Sequence, residues 1–232
     1  RQRLLGILTR PDAQIIFVDT PGIHEPYSRL GEFMVDVARA AAPDADIVLL
    51  MVDLAQPPDA ADRQAANVAT GVNGIETVLV MNKLDLVSGE TLAERRRVYE
   101  GLGAFDEAVC ISALTGAGVD ELLDMTVERP PQGPRFYPED QLTDRSERFV
   151  AAETIREQIL RHLYQEVPHA IAVVVESFKR RDNGVLYIEA NICVERDSQK
   201  GFVIGRGGSM LKKIGRTARQ ELEAFFDCPV YI

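Results

Sequence analysis

Asn82-Lys83-Leu84-Asp85 follows directly on the apolar run Thr77–Met81, and a carboxylate in that setting can read a guanine base. Asp85 can accept from both the ring N–H and the exocyclic amine of guanine, whereas adenine would leave it unpaired. Bidentate, charge-assisted contacts of this kind are strong and discriminating. Asn82 would tie neighbouring loops together, and the aliphatic stem of Lys83 would lie over the flat base. In isolation the tetrapeptide is an ordinary polar turn, and its meaning comes from two companions. Asp19-Thr20-Pro21-Gly22 closes the run Ile15–Val18, and Ser112-Ala113-Leu114 closes the run Ala108–Ile111. Asp19 can hold the water shell of a Mg²⁺ ion, which binds few carboxylates and keeps its waters. The N–H of Gly22, with no side chain in the way, can meet a terminal phosphate. The Ser112-Ala113 backbone can donate to the guanine carbonyl while Ser112 braces Asp85.

A second chemistry sits near the other end. Val203-Ile204-Gly205-Arg206-Gly207-Gly208 places a Gly-x-x-Gly loop before an amphipathic helix expected over 209–226. Glycines remove Cβ bulk and helix N-termini favour phosphate, so a nucleic-acid backbone can approach closely. From Ser198 to Gln220 the basic residues Lys200, Arg206, Lys212, Lys213, Arg216 and Arg219 stand with no acidic one. Candidate RNA contacts are therefore Lys200, Ile204, Gly205, Arg206, Gly207, Gly208, Lys212, Lys213 and Arg216. The loop has no Gly-x-x-x-x-Gly-Lys-Ser/Thr spacing, which excludes a Walker A reading of it.

These motifs need strands that end together. Runs at 47–52, 77–81 and 108–111 alternate with helix-like stretches at 59–70, 91–102 and 119–127, predicting an α/β unit with a mostly parallel sheet and helices on both faces. Leu4–Leu8 and Gln14–Val18, around Pro11-Asp12, predict an antiparallel hairpin. Leu30, Phe33, Met34, Val37 and Ala41 recur on one helical face. Pro130-Pro131-Gln132-Gly133-Pro134 stops any helix and predicts a stiff connector. Thr143 or Asp144 is expected to cap a long helix to about Tyr164, burying Phe149, Ala152, Ile155, Ile159 and Leu163. Two strands, 170–176 and 185–195, and the Gly-x-x-Gly helices then predict an α+β unit. The expected divisions are 1–129, a linker and connecting helix over 130–168, and 169–232.

Composition narrows the field. The net charge of -10 gives no overall nucleic-acid signature. Residues 1–169 hold 16 Lys+Arg against 28 Asp+Glu, while 170–232 hold 10 against 8, so an anionic polymer should bind the C-terminal part. Cys110, Cys193 and Cys228 are odd in number and widely spaced, which argues against disulfides and zinc and for a reducing cytoplasm. No apolar run is long enough to cross a bilayer.

Together the residues resemble the Era-type GTPases of bacteria, which join a small P-loop GTPase domain to a type II KH domain. The likeness rests on Asp19-Thr20-Pro21-Gly22-Ile23-His24, Asn82-Lys83-Leu84-Asp85, Ser112-Ala113, and Val203-Ile204-Gly205-Arg206-Gly207-Gly208. It also includes Tyr137-Pro138-Glu139-Asp140 with Thr143-Asp144-Arg145-Ser146. It implies GTP and GDP binding at Asp19, Thr20, Pro21, Gly22, Ile23, Asn82, Lys83, Leu84, Asp85, Ser112, Ala113 and Leu114, with Mg²⁺ on Asp19 through water. It further implies slow GTP hydrolysis and recognition of the 3′ end of 16S rRNA during assembly of the 30S small ribosomal subunit. A cytoplasmic monomer is expected, with peripheral contact at the inner face of the cell membrane left open.

The family's phosphate loop and first switch lie upstream of Arg1, so the sequence is expected to be a fragment, and its last strand to be cut short after Ile232. Where many small GTPases carry a water-orienting glutamine after Asp-x-x-Gly, Ile23 stands here, so backbone groups, an ion or a partner must orient the water. His24 has no carboxylate partner in view and is not taken as a base. The expected device is a switch: terminal phosphate orders 19–28, and the change reaches the glycine loop through the helix near Asp144. The competing readings are an RNA-binding assembly factor with a non-hydrolysing G-domain scaffold, and a double-domain ribosomal GTPase, whose KH-like part would lack Gly-x-x-Gly.

Overall fold

The structure is a computed structural model that describes residues 4–20, 45–72, 74–130, 132–163 and 171–232. It divides into two compact units, Arg1–Asp144 and Arg145–Ile232. The helical stretch expected around Leu30–Ala41 lies outside the described residues, as do Pro21, Gly22, Ile23, His24 and His169.

In the first unit, β1 (Leu4–Thr9) and β2 (Gln14–Asp19) form the expected antiparallel hairpin, closed by the Arg10 N–H on the Ala13 carbonyl at 2.8 Å. The stretch that follows the proline-rich segment is pinned to this hairpin. Ile7 donates its N–H to the Leu142 carbonyl at 2.8 Å, and Gly6 bridges Thr143. The Gln14 carboxamide oxygen accepts from the N–H groups of Phe136 and Tyr137, both at 3.0 Å. Prolines bring no donors of their own, so residues beside them carry the pinning. The expected linker 130–168 is thus divided: 135–144 is bonded to the hairpin of the first unit, and the helix after it belongs to the second.

The parallel sheet has the order β3 (Ile47–Asp53), β4 (Glu76–Asn82), β5 (Glu107–Cys110). β4 is central, and Thr77–Met81 is buried throughout, as a strand covered on both faces must be. Alternation divides its side chains between two cores. Leu79 and Met81 meet Val52, Leu54 and Tyr99 of α2 (Gly89–Glu100). Val78 and Val80 meet Val109, Ile111 and Leu122 of α3 (Val119–Glu128). Helices therefore cover both faces, as the alternating pattern predicts. Between β3 and β4, α1 (Ala60–Thr70) starts at a capping box: Asp59 accepts from the N–H groups of Ala61 and Asp62, and Asp62 accepts from that of Asp59.

The second unit is α+β. Its first helix, α4 (Glu147–His162), is capped by Ser146, whose Oγ accepts from the Phe149 N–H at 3.3 Å. The cap thus falls later than Thr143 or Asp144, because residues up to Thr143 are still paired with the hairpin. The buried stripe runs through Ala151, Ile155, Gln158, Ile159 and Leu163, so Ala151 takes the inner place expected for Ala152. That follows from i, i+4 spacing back from Ile155 and Ile159. β6 (Ile171–Arg180) and β7 (Leu186–Val194) are antiparallel, and β8 (Val230–Tyr231) joins β7 in parallel. α5 (Asp197–Ile204) and α6 (Ser209–Phe226) flank the glycine loop. Leu186 and Ile188, with Ile214, Ala218 and Leu222, close the core against α4.

Candidate functional site

Parallel pairing fixes where the strand ends fall. Asp53 lies in register with Asn82, and Met81 with Cys110, so β3, β4 and β5 deliver their last residues to one edge. This is the carboxyl edge at which open α/β sheets bind ligands. Asn82 ties the loops as expected: its Oδ1 accepts from the N–H groups of Lys83 at 2.8 Å and Ala113 at 2.9 Å. Ser112, 1 % exposed, donates its Oγ–H to Asp85 Oδ1 at 2.5 Å and accepts from the Thr115 N–H at 3.2 Å. Asp85 itself is exposed, and its Oδ2 has no donor among the described residues. One oxygen is braced and the other is open, which is the arrangement a carboxylate needs to meet the paired donors of guanine.

One expectation changes. The Ser112 N–H is taken by the Ala117 carbonyl at 2.8 Å and the Ala113 N–H by Asn82, so neither is free for the base carbonyl. The next donor along the loop is the N–H of Leu114, which has no described partner and whose side chain is 85 % exposed. Lys83 is held in the left-handed region at φ 69°, ψ 38°, where the short 3₁₀ turn Leu84–Leu86 begins. Its Nζ reaches Asp53 Oδ2 at 2.6 Å, a contact that sequence motifs do not announce. Burial works against the charge on Asp53, but the Lys83 ammonium and the Ala55 N–H outweigh it and hold the carboxyl below its ordinary value. Strand register alone would have flagged Asp53, the acidic end of a strand beside Asn82.

Asp19 and Thr20 are not joined to this cluster by any bond among the described residues. Asp19 ends β2, whose described partner is β1, so it sits in a separate two-stranded sheet, and Thr20 follows directly on it. Among the described residues no group of three or more His, Cys, Asp and Glu side chains can hold a metal. A lone exposed carboxylate at Asp19 fits an ion that keeps its waters, the manner of Mg²⁺.

The glycine loop of the second unit has different parts. Gly205 (φ 70°, ψ 173°) carries the turn out of α5, and a Cβ there would lie 2.8 Å from both the backbone N and the Cβ of Met210. Gly207 and Gly208 also have positive φ, yet a Cβ at either would meet nothing within 4 Å. The first glycine lets α6 approach, and the other two leave the surface open. Arg206, Lys212, Lys213 and Arg216 are exposed and make no ion pair with a described residue. Lys200 departs from the expectation: its Nζ sits 2.7 Å from Asp197 Oδ1 one turn back, so its charge is partly answered. Ile204 is 47 % exposed beside the loop, while its neighbour Val203 is buried in the core. His162 hydrogen-bonds Thr217 Oγ1 at 3.2 Å and serves packing.

Residues 7–132 match the family model of the elongation factor Tu GTP-binding domain, and residues 166–232 match that of the KH domain. The GTPase Era of Thermotoga maritima is 50 % identical over 236 residues, spanning all of this chain and 77 % of that protein. The GTPase Era of Geotalea daltonii is 46 % identical over 238 residues, spanning all of this chain and 78 % of that protein.

The chain belongs to the Era family of GTPases.

Two solved Era structures superpose on it. One is Era with MgGDPNP and nucleotides 1506–1542 of 16S ribosomal RNA, with a TM-score of 0.87 and 37 % identity, covering the whole chain and 79 % of the other. The second is an Aquifex aeolicus Era variant bound to GDP·AlF₄⁻, with a TM-score of 0.87 and 36 % identity over the same shares. Within the Era frame, Asn82, Lys83, Asp85, Ser112 and Ala113 form one bonded cluster at the sheet edge, and the basic loop belongs to the KH part.

Proposed function

We propose that this Era-family protein binds GTP and GDP by clasping guanine between Asp85 and the Leu114 N–H, hydrolyses GTP slowly, and binds the 3′ end of 16S rRNA on its glycine loop. Its role is that of a nucleotide-dependent switch in assembly of the 30S small ribosomal subunit. The observation that carries the nucleotide reading is the Ser112–Asp85 bond, which pins one carboxylate oxygen at 2.5 Å and leaves the other open. For the RNA reading, the support is the exposed set Arg206, Lys212, Lys213 and Arg216 around a glycine loop, together with the rRNA-bound Era relative. Mg²⁺ would rest on Asp19 through water and on nucleotide phosphates, supplying charge neutralisation there. Three free thiols at Cys110, Cys193 and Cys228 suit a reducing cytoplasm.

The deciding experiment is nucleotide binding by the full-length protein and its Asp85→Asn variant. The amide offers a donor where the carboxylate accepted, so preference should move from guanine to xanthine nucleotides; a variant that still prefers GDP would remove Asp85 from the base. Gating is tested separately with an oligonucleotide of the rRNA 3′ end. Equal affinity in GDP and in a non-hydrolysable GTP analogue would sink direct control of RNA binding by the nucleotide.

A further inference from the structure

Asp53 and Tyr99 lie outside the base-reading motifs, yet they are bonded to them in series. Asp53 Oδ1 accepts from the Ala55 N–H at 2.9 Å, which sets the plane of the carboxylate, and Oδ2 takes the Lys83 ammonium at 2.6 Å. The hydroxyl of Tyr99 faces the backbone carbonyls of Asp53 and Gln56 at 3.1 and 3.2 Å. Tyr99 is only 1 % exposed, so that hydroxyl has no bulk water as an alternative partner, and burial beside Asp62 and Asp53 keeps it protonated as a donor. Lys83 is meanwhile fixed at its backbone by the left-handed conformation and the Asn82 bond. A lysine stem held at both ends has few rotamers left, and part of the entropy it would lose on covering a ligand is already spent.

We propose that Asp53 and Tyr99 are positioning residues for guanine-nucleotide binding, holding the Lys83 stem as a preformed platform for the flat face of the base. This rests on the base-site reading above. Asp53 acts on Lys83 directly, and Tyr99 acts by fixing the turn from Asp53 to Gln56. The platform serves any purine ring, whereas the exocyclic amine of guanine is read by Asp85. Loss of the platform therefore weakens guanosine and inosine diphosphates alike.

The test is a double-mutant cycle on the full-length protein, with GDP and inosine diphosphate affinities as readouts and thermal melts as the fold control. Asp53→Ala should weaken both nucleotides about two- to fivefold, the range of a partly exposed ion pair. The preference between them should stay unchanged. Lys83→Met keeps the stem and loses the ammonium, so it should weaken binding as much as Asp53→Ala, and the double variant should be no worse than either. Tyr99→Phe, which keeps the ring packing, should weaken binding by a smaller factor that vanishes in the Lys83→Met background. Equal losses with and without the Lys83 ammonium would overturn the proposal, and so would tighter binding by Asp53→Ala, since the ion pair would then compete with the nucleotide. Failure of Asp85→Asn to move preference to xanthine removes the base site and this inference with it. An Asp85→Asn variant that does move to xanthine nucleotides, together with a fully additive Asp53–Lys83 cycle, removes this inference alone.

Discussion

At the scale of single residues, the base-reading cluster is a short chain of bonds in which each group frees or fixes the next. Ser112 is its buried pivot, with one hydroxyl donating to Asp85 and accepting from Thr115. Ser112→Ala should leave Asp85 free to rotate and cost about 1 kcal/mol in GDP binding, a roughly fivefold rise in Kd measured by fluorescent-nucleotide titration. Asp53 adds a pH signature. Its carboxyl is held below the ordinary 3.8 when folded, so its contribution to stability is complete above that value and is lost as pH falls through the folded value. Melting temperatures of the native protein and Asp53→Asn should therefore differ near neutrality and converge only in acid below the ordinary carboxylate range. A gap that persists undiminished within that acid range would show that the charge is not what Asp53 contributes.

Among the elements, two glycines hold close approaches that no other residue fits. Gly118 starts α3 at φ 73°, where a Cβ would lie 2.4 Å from the Cys110 carbonyl oxygen. Gly118→Ala should push the start of α3 away from the end of β5 and disturb the Ser112 loop between them, lowering GDP affinity as well as melting temperature. Gly205→Ala should destabilise the KH unit by about 1–3 kcal/mol from backbone strain alone, with the Met210 clash in addition. Gly207→Asn should cost far less, because asparagine tolerates the left-handed region and the space around it is open. Chemical denaturation ranks the two. The elements themselves were legible in the sequence because β4 is a continuous apolar run, the hairpins carry turn residues, and α6 repeats Ile214, Ala218 and Leu222 at i, i+4. Contacts set by register were not. Asp53 becomes visible only when β3 is aligned on β4. The commitment of the Ser112 and Ala113 N–H groups depends on how the loop folds back through Ala117 and Asn82. The Ser146 cap was hidden because pairing with β1 outlasts the sequence signals at Thr143 and Asp144. Lys200 is a different case: its i, i+3 partner Asp197 stood in plain view, one residue before the stretch counted as purely basic.

For the molecule as a whole, charge is the organising quantity. The chain carries a net charge of -10, yet the KH loop presents Arg206, Lys212, Lys213 and Arg216 without described partners. Each phosphate neutralised releases counterions, so replacing any one of these four by alanine should reduce the slope of log K against log salt by about 0.7 for single-stranded RNA. Lys200→Ala should change it less, because Asp197 already answers its charge. Filter binding across a salt series separates the two outcomes. The same unpaired ridge also governs how encounters end. A polyanion approaching most of this protein meets net negative charge and is turned away, while one arriving at the start of α6 is drawn in. Collision orientation is thus selected before any base is read, and the capture rate, rather than the lifetime of the complex, is the quantity that rising ionic strength should erode first.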